Sequence, residues 1–538
     1  MIQGRADSRP EAPRRALDLC LAAALVALLA ARFLWITLDA PGGIVSGSGA
    51  LVTDEGGYLK PAKLYYTFGV LRNDLDVNWG LYVAPLYTAL TLALGGLFRN
   101  VLVATRYASV VFSVASVAVF YRLCRHGKTR AESLICCLVV AASLDEFTFS
   151  RVAFVEPLGT LLSLLALASW VCWRGRWRWV AASFAFAVLS VWCKLTFLYA
   201  ALAVSALWAW EAYRACRGGK MRQAGGIVAF GLGAVCLLGA VQIALLECAG
   251  ADAAESQGLM EKSHAGVTPK AAVLNELRLL WTYSRQPWRE VPCIAAILGL
   301  AVLLARLRRG RERPAPPPGA VERCAGHRRP LAAMALWLIL GMLFFGLFEY
   351  QVPRWLTFTI FPAAYLVASL IAHVATRRRV AMLLLVLALH VLAQVPSLYR
   401  YAARTHKTSL LDSARDVAAR VGSADAPVAL LGQFGHMAAL FGDRIRPIAT
   451  AWRTGESLRR RVARWRPAYF VGYPNEFRPI ATYCRELLEA TEPVASYRIM
   501  DNYYEGCDML LLHLTYARAE QAGPRREAGP PTVGDDRR

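Results

Sequence analysis

Long apolar runs alternate with short arginine-rich segments along most of the chain. Residues 17–38, 104–120, 131–147, 154–173, 179–193, 195–212, 224–246, 290–305, 331–348, 357–375 and 380–396 are dominated by Leu, Val, Ala, Phe and Trp. A membrane-crossing helix takes about 20 predominantly apolar residues, and these runs have or approach that length. Lys and Arg collect on the cytoplasmic side of a membrane protein, so the basic segments orient the runs. Arg5, Arg9, Arg14 and Arg15 hold the N-terminus inside. Arg122, Arg125, Lys128 and Arg130, then Arg174, Arg176 and Arg178, then Arg214, Arg217, Lys220 and Arg222, and finally Arg377 to Arg379 fall inside by the same rule. Residues 83–98 are apolar but short and carry Pro85 near their start. A crossing there would invert every later loop, so they read as a juxtamembrane or half-inserted helix. Eleven crossings remain. The number is odd, so the C-terminus emerges outside.

The first run follows a basic N-terminus, as a signal peptide would. It is too long for a signal sequence, and Arg32 and Trp35 stand where small cleavage-site residues belong; it reads as a retained span. Residues 306–330, rich in Arg and Pro, read as a flexible cytoplasmic linker. After residue 400 the pattern changes. Ser413-Ala-Arg-Asp-Val-Ala-Ala-Arg predicts an amphipathic helix with a serine N-cap. Val428-Ala-Leu-Leu, Ala468-Tyr-Phe-Val and Met509-Leu-Leu-Leu predict short buried strands. The expected organisation is a mainly α, polytopic transmembrane helical bundle over 1–400, a small extracytoplasmic α/β domain over 401–516, and a disordered tail over 517–538.

Composition agrees with a membrane protein: 56% of residues are hydrophobic and 18% charged, against about 45–50% and about 25% for soluble domains. The net charge of +23 sits in loops between spans and sets orientation. Neither a zinc-finger spacing nor a basic stripe interleaved with aromatics is present, so nucleic acid is not an expected partner. Of thirteen cysteines, Cys20, Cys136, Cys137, Cys172 and Cys236 sit in apolar runs, and no CxxC pair occurs. Cys484 and Cys507 lie in the last, soluble region. They pair as a disulfide or stay as two free thiols.

Ionisable residues gather where the chain is expected outside. Thr53-Asp54-Glu55-Gly56-Gly57-Tyr58 sets two adjacent carboxylates beside glycines, with Lys60 and Lys63 close behind. Alone, the pair reads first as a solvated acidic turn, since acidic dipeptides are common on surfaces. The next outer turn offers Asp145, Glu146, Arg151 and Glu156, and a later one Lys194 inside an otherwise apolar run. Glu349, Tyr350, Gln351 and Arg354 follow. Ionisable groups at span ends are expensive and tend to be functional, although Lys194 could snorkel and Glu156 could serve as a helix-start acid. Acids at one face could deprotonate or orient a hydroxyl, and bases could hold a phosphate as charge builds on it.

These stretches resemble the GT-C glycosyltransferases that use polyprenyl-phosphate sugars, in the branch of the protein O-mannosyltransferases and lipid A aminoarabinose transferases. Thr53-Asp-Glu-Gly-Gly-Tyr-Leu with Asn78-Trp-Gly through Pro85-Leu-Tyr is similar to that family's first outer loop. Ser150-Arg-Val-Ala-Phe-Val-Glu156-Pro resembles its second acidic site, and Cys193-Lys194-Leu-Thr its Lys-Gly-Pro turn, without the Gly and Pro. Tyr350-Gln-Val-Pro-Arg354-Trp resembles its late Pro-Arg-Tyr motif, with Trp for Tyr. The resemblance implies transfer of a sugar, by inverting displacement, from a lipid-phosphate donor outside the cytoplasm. It implies Asp54 as base, with Glu55 the adjacent alternative and Glu156 a second acid near the acceptor. It implies Lys60, Arg151, Lys194, Tyr350 and Arg354 on the donor side. Some GT-C enzymes use a divalent metal; this branch is thought not to, and no required metal or other cofactor is expected. The acceptor, whether protein, lipid or glycan, stays open. The alternatives are a transporter or flippase for a lipid-linked glycan, which would show paired halves with charges at the bilayer midplane, and a non-catalytic scaffold with an outer binding domain, which would tolerate loss of Asp54 and Glu55.

Overall fold

The computed structural model describes residues 11–34, 36, 58–63, 65–66, 71, 81, 83–98, 100–173, 175–249, 318–346, 359–374, 378–404, 410–421, 428–431, 445–448, 456–472, 474–497 and 509–516. The expected span 290–305 and the tail 517–538 lie outside them. The chain divides into two compact units, with the boundary between Asp416 and Val417.

The first unit is helical. Helices α1 (Glu11–Ala31), α2 (Pro85–Leu97) and α3 (Val101–Arg125) come first. Proline at the first turn of α2 costs no hydrogen bond, because that N–H has no intrahelical partner anyway. Asn100 caps α3 by accepting from the Val103 N–H at 3.1 Å, and Arg122 and Arg125 close it favourably to its dipole. Helix α4 (Arg130–Ala141) opens on a capping box in which Thr129 and Glu132 satisfy each other's backbone N–H groups.

The run 131–147, read as one crossing, is two helices. Ser143 leaves the helical conformation with ψ 123° and caps a new one, α5 (Leu144–Phe149). The chain continues through α6 (Glu156–Cys172), α7 (Trp177–Cys193), a 3₁₀ turn (Leu195–Phe197), α8 (Leu198–Arg217) and α9 (Met221–Ala249). Next are α10 (Pro318–Gly346), α11 (Ile360–Val374) and α12 (Arg379–Arg404). The stretch expected to be a flexible linker is therefore helical from Pro318 onward. Proline is tolerated where a helix begins, and the buried side chains Ala333, Met334, Trp337 and Leu338 anchor the rest of α10.

Val101–Arg125, Leu195–Arg217, Met221–Ala244 and Arg379–Pro396 are long and apolar enough to cross a membrane; Pro85–Leu97, Glu156–Cys172, Trp177–Cys193, Arg329–Phe345 and Ile360–Ala372 are apolar but shorter. Leu232 and Val235 on α9, and Leu385 and Leu392 on α12, are exposed. Such continuous apolar faces belong in lipid, and the protein is a multi-pass membrane protein. Its core is tied by small polar links: the Trp208 indole N–H donates to the Ser183 hydroxyl at 2.9 Å, which donates to the Ala166 carbonyl at 2.8 Å, so α8, α7 and α6 share one chain of bonds.

Helix α13 (Leu410–Val421) runs across the unit boundary. Ser413 lies inside it rather than at its cap, because Leu410 and Leu411 extend the helix upstream, and its side chain is buried. The second unit holds β1 (Val428–Leu431), β2 (Ile445–Ile448), α14 (Glu456–Trp465), β3 (Tyr469–Gly472), α15 (Pro474–Tyr483), β4 (Leu488–Tyr497) and β5 (Met509–Tyr516). The sheet order is β2-β1-β3-β5-β4. Strand β1 pairs in parallel with β2 and β3, while β5 pairs antiparallel with β3 and β4. The expected strands are β1, β3 and β5. The two edge strands carry no comparable signal, since β2 reads Ile-Arg-Pro-Ile and β4 is mostly exposed. Cys484 is buried, and burial pushes its thiol up to about 11; Cys507 lies outside the described residues.

The ends of α6 and α8 are joined to α10 by Arg329. Its guanidinium donates to the Trp173 carbonyl at 2.6 Å and to Glu211 at 3.1 Å, over the rings of Trp170 and Trp173. Arg329→Gln leaves the buried Glu211 carboxylate uncompensated. Breaking a fully buried pair costs about 3–5 kcal/mol, and the 29% exposure of the Arg329 side chain brings the expected loss to about 2 kcal/mol. Thermal unfolding in lipid nanodiscs reads it, and Glu211→Gln in the same chain restores part of the loss.

Candidate functional site

Glu156 is the first residue of α6, followed by Pro157. Lys194 lies where α7 ends, extended at φ −165° and ψ 135°, before the 3₁₀ turn that leads into α8. The two breaks face each other. Lys194 Nζ meets Glu156 Oε1 at 2.8 Å, with side chains only 7% and 12% exposed. The Cys193 thiol donates to the Val155 carbonyl at 3.4 Å, so the segments are joined twice. Lys194 Nζ also stands 5.6 Å from the ring centre of Tyr58, within cation–π range.

Tyr58 begins a short helical turn over 58–63, in which Tyr58, Leu59, Lys60, Pro61 and Ala62 are all buried. Its ring packs edge-on to Tyr87 of α2 and to Phe154. The turn at 58–63 is therefore built into the bundle beside Lys194 and Glu156. Gly159, one turn into α6, makes room for this: a Cβ there would lie 2.0 Å from the Phe197 ring of the 3₁₀ turn.

A second polar cluster grips the chain as it leaves α1. Arg32 is fully buried. Its guanidinium donates to the Ser113 hydroxyl of α3, to Glu146 of α5 and to Ser150 at 3.4 Å, and to the Ala141 carbonyl at 3.4 Å. The Ser113 hydroxyl donates in turn to Glu146 at 2.7 Å. Arg151 donates to the Leu34 carbonyl at 2.7 Å, and Arg106 of α3 to the Ile36 carbonyl at 3.0 Å. Arginines from three places thus fix the chain at Arg32, Leu34 and Ile36.

Of the residues singled out from sequence, Glu156 and Lys194 are brought into direct contact, and Lys60 belongs to the buried turn that starts with Tyr58. Arg151 is close to the α1 exit, its guanidinium also 5.1 Å from the Phe147 ring centre. Asp54, Glu55, Tyr350 and Arg354 lie outside the described residues. Sequence reasoning missed Arg32, Ser113 and Arg106. Arg32 was legible only as a poor cleavage-site residue. The pattern Ser143-Leu-Asp-Glu146 is a helix-start signature that marks the break between α4 and α5.

No protein-family model matches the sequence, and no curated protein sequence is significantly similar to it. Solved structures do match. The chain has the GT-C fold. It superposes on the crystal structure of ArnT from Cupriavidus metallidurans bound to undecaprenyl phosphate with a TM-score of 0.57 at 12% identity, covering 92% of this chain and 97% of that one. Two further matches have TM-scores below one half. The archaeal oligosaccharyltransferase AglB from Archaeoglobus fulgidus, in complex with an inhibitory peptide and a dolichol-phosphate, gives 0.48 at 11% identity over 95% of this chain and 75% of that one. The S. cerevisiae protein O-mannosyltransferase Pmt1-Pmt2 complex bound to the sugar donor gives 0.33 at 14% identity over 46% and 35%. The first likeness carries the fold.

Substituting Gly159 tests the packing under the site. Gly159→Val drives a branched side chain into Phe197 and is expected to cost about 1–3 kcal/mol, seen as a lower unfolding temperature. Phe197→Ala in the same chain makes room and returns part of the difference.

Proposed function

We propose that this protein is an integral membrane glycosyltransferase. It moves a sugar from a polyprenyl-phosphate-linked donor to an acceptor hydroxyl on the extracytoplasmic face, by an inverting displacement. The observation that carries the reading is the likeness to ArnT over 92% of this chain and 97% of that one. The Glu156–Lys194 contact supports it, because an acid and a base meet at helix breaks that the charge rule assigns to the outer face.

In this reading the acceptor oxygen attacks the anomeric carbon as the bond to the phosphate oxygen breaks. The acceptor proton passes to the Asp54 carboxylate, and the polyprenyl phosphate leaves with the electron pair. Glu55 is the adjacent alternative base. Glu156, oriented by Lys194, stands near the acceptor. Lys60, Arg151, Lys194, Tyr350 and Arg354 face the donor phosphate, where cations stabilise the charge that grows on the leaving group. No metal or other cofactor is required. The transmembrane bundle spans residues 1–400 in eleven crossings with the N-terminus cytoplasmic, and residues 401–516 form an α/β domain outside. The sugar is a hexose or pentose unit, and the acceptor is a protein, lipid or glycan hydroxyl.

Transfer from a panel of radiolabelled polyprenyl-phosphate sugars to membranes tests the reading. Wild type is expected to transfer from at least one donor. Asp54→Asn, still folded and inserted, is expected to lose about 100-fold or more, the usual size of a general-base contribution. Undiminished transfer by the variant moves the base to Glu55 or Glu156. Absence of transfer by wild type with every donor favours a transporter or scaffold.

The donor assignments and the metal are tested separately. Arg354→Ala is expected to raise the donor concentration needed for half-maximal rate more than the acceptor concentration. Chelators are expected to leave the rate unchanged; abolition with rescue by a divalent ion counts against the metal-free reading.

A further inference from the structure

The second unit carries a charge pattern that sugar transfer does not use. Between residues 456 and 486 the sequence holds seven arginines against three glutamates, a net charge of +4. Helix α14 turns Leu458 and Val462 inward, both buried, and leaves Arg459, Arg460 and Arg464 exposed. Helix α15 packs beside α14 and against β3, with Phe477 on Phe470 at 5.1 Å between ring centres. It leaves Arg478 exposed, with Tyr483 exposed at its end. Arg466 and Arg485 are exposed in the flanking turns. Glu486 pairs with Arg459 and ties the end of the α15 segment to α14. Arg460, Arg464 and Arg478 are thus exposed on a layer formed by a pair of packed helices.

We propose that this layer docks on anionic phospholipid headgroups of the bilayer in which the first unit is embedded. Three observations point to a lipid surface. The cations are arginines, whose planar fork suits bidentate phosphate binding. Tyr483 is exposed beside them and Trp465 is half-buried beneath Arg464, at 5.5 Å from the guanidinium; such aromatics favour the headgroup level. The chain also tethers the unit to the membrane, since Val417 follows soon after the apolar stretch that ends at Pro396. A tether raises the effective concentration of the surface, so weak contacts suffice. Docking of this kind rests on charge and is screened by salt.

Arginine footprinting with phenylglyoxal tests the proposal on the full chain in nanodiscs of phosphatidylcholine alone or of an equal mixture with phosphatidylglycerol. Mass spectrometry reads modification at Arg460, Arg464 and Arg478. Slower modification in the anionic discs, reversed by high salt, is the expected result. The triple variant Arg459→Gln, Arg460→Gln, Arg464→Gln should lose the protection remaining at Arg478, with docking weakened roughly fivefold for each charge removed. Equal modification in both lipids overturns the proposal. So does protection already present in neutral discs or surviving high salt, which means that protein covers the layer. Circular dichroism of the variant separates lost docking from lost folding. The readout needs no sugar transfer, so it stands or falls independently of the proposed activity.

Discussion

A charged side chain at the centre of a membrane span costs about 2.5–3.5 kcal/mol on insertion scales, and a partner of opposite sign reduces that cost. This constraint organises the membrane unit. Lys194 and Glu156 sit at the ends of otherwise apolar helices, and each meets the other rather than lipid or water. The same rule governs Arg32 with Glu146 and Arg329 with Glu211. Each pair spans different helices, so each cation fixes the position of one helix end against another.

The Lys194–Glu156 pair and the Arg32 cluster meet through the segment 146–156. Glu146 and Ser150 hold Arg32, Arg151 holds the Leu34 carbonyl, Phe154 packs on Tyr58, and Glu156 holds Lys194. The stretch between α5 and α6 is thus a shared strut. One end supports the exit of α1. The other supports the turn at 58–63.

Helix positions and mainly α character were legible because hydropathy is a property of composition over a window, and lipid-facing helices such as α9 and α12 are apolar almost throughout. The fold family was legible through short motifs whose order along the chain carried more than any one of them. The ion-pair partners were not. Arg32 and Glu146 are far apart in sequence, and nothing in a periodicity joins them. Lys194 and Glu156 were each visible as a misplaced charge, but contact depends on two helix breaks facing one another. In the second unit the central strands were legible as short apolar runs. The edge strands were not, since an edge buries little and tolerates the prolines of β2 and β4. Ser413 misled for a related reason: a serine starts many helices, yet the apolar pair before it made a longer helix cheaper.

Stability alone is a weak reason for the Lys194–Glu156 pair to exist. Replacing a buried ion pair with well-packed apolar groups is often neutral or stabilising, and α6 and α7 already bury extensive apolar surface. Lys194 also lies in the turn between two packed helices, α7 and α8, where its carbonyl accepts from the Phe197 N–H at 2.9 Å. The arrangement therefore holds an ammonium and a carboxylate at a bend beside Tyr58. Gly159 fits the same account: the absent side chain lets the Phe197 ring lie against α6, which brings the bend close enough for the 2.8 Å contact. The bend thus fixes two opposite charges against each other through the packing of Phe197 on α6, a placement that apolar packing of the bundle alone does not require.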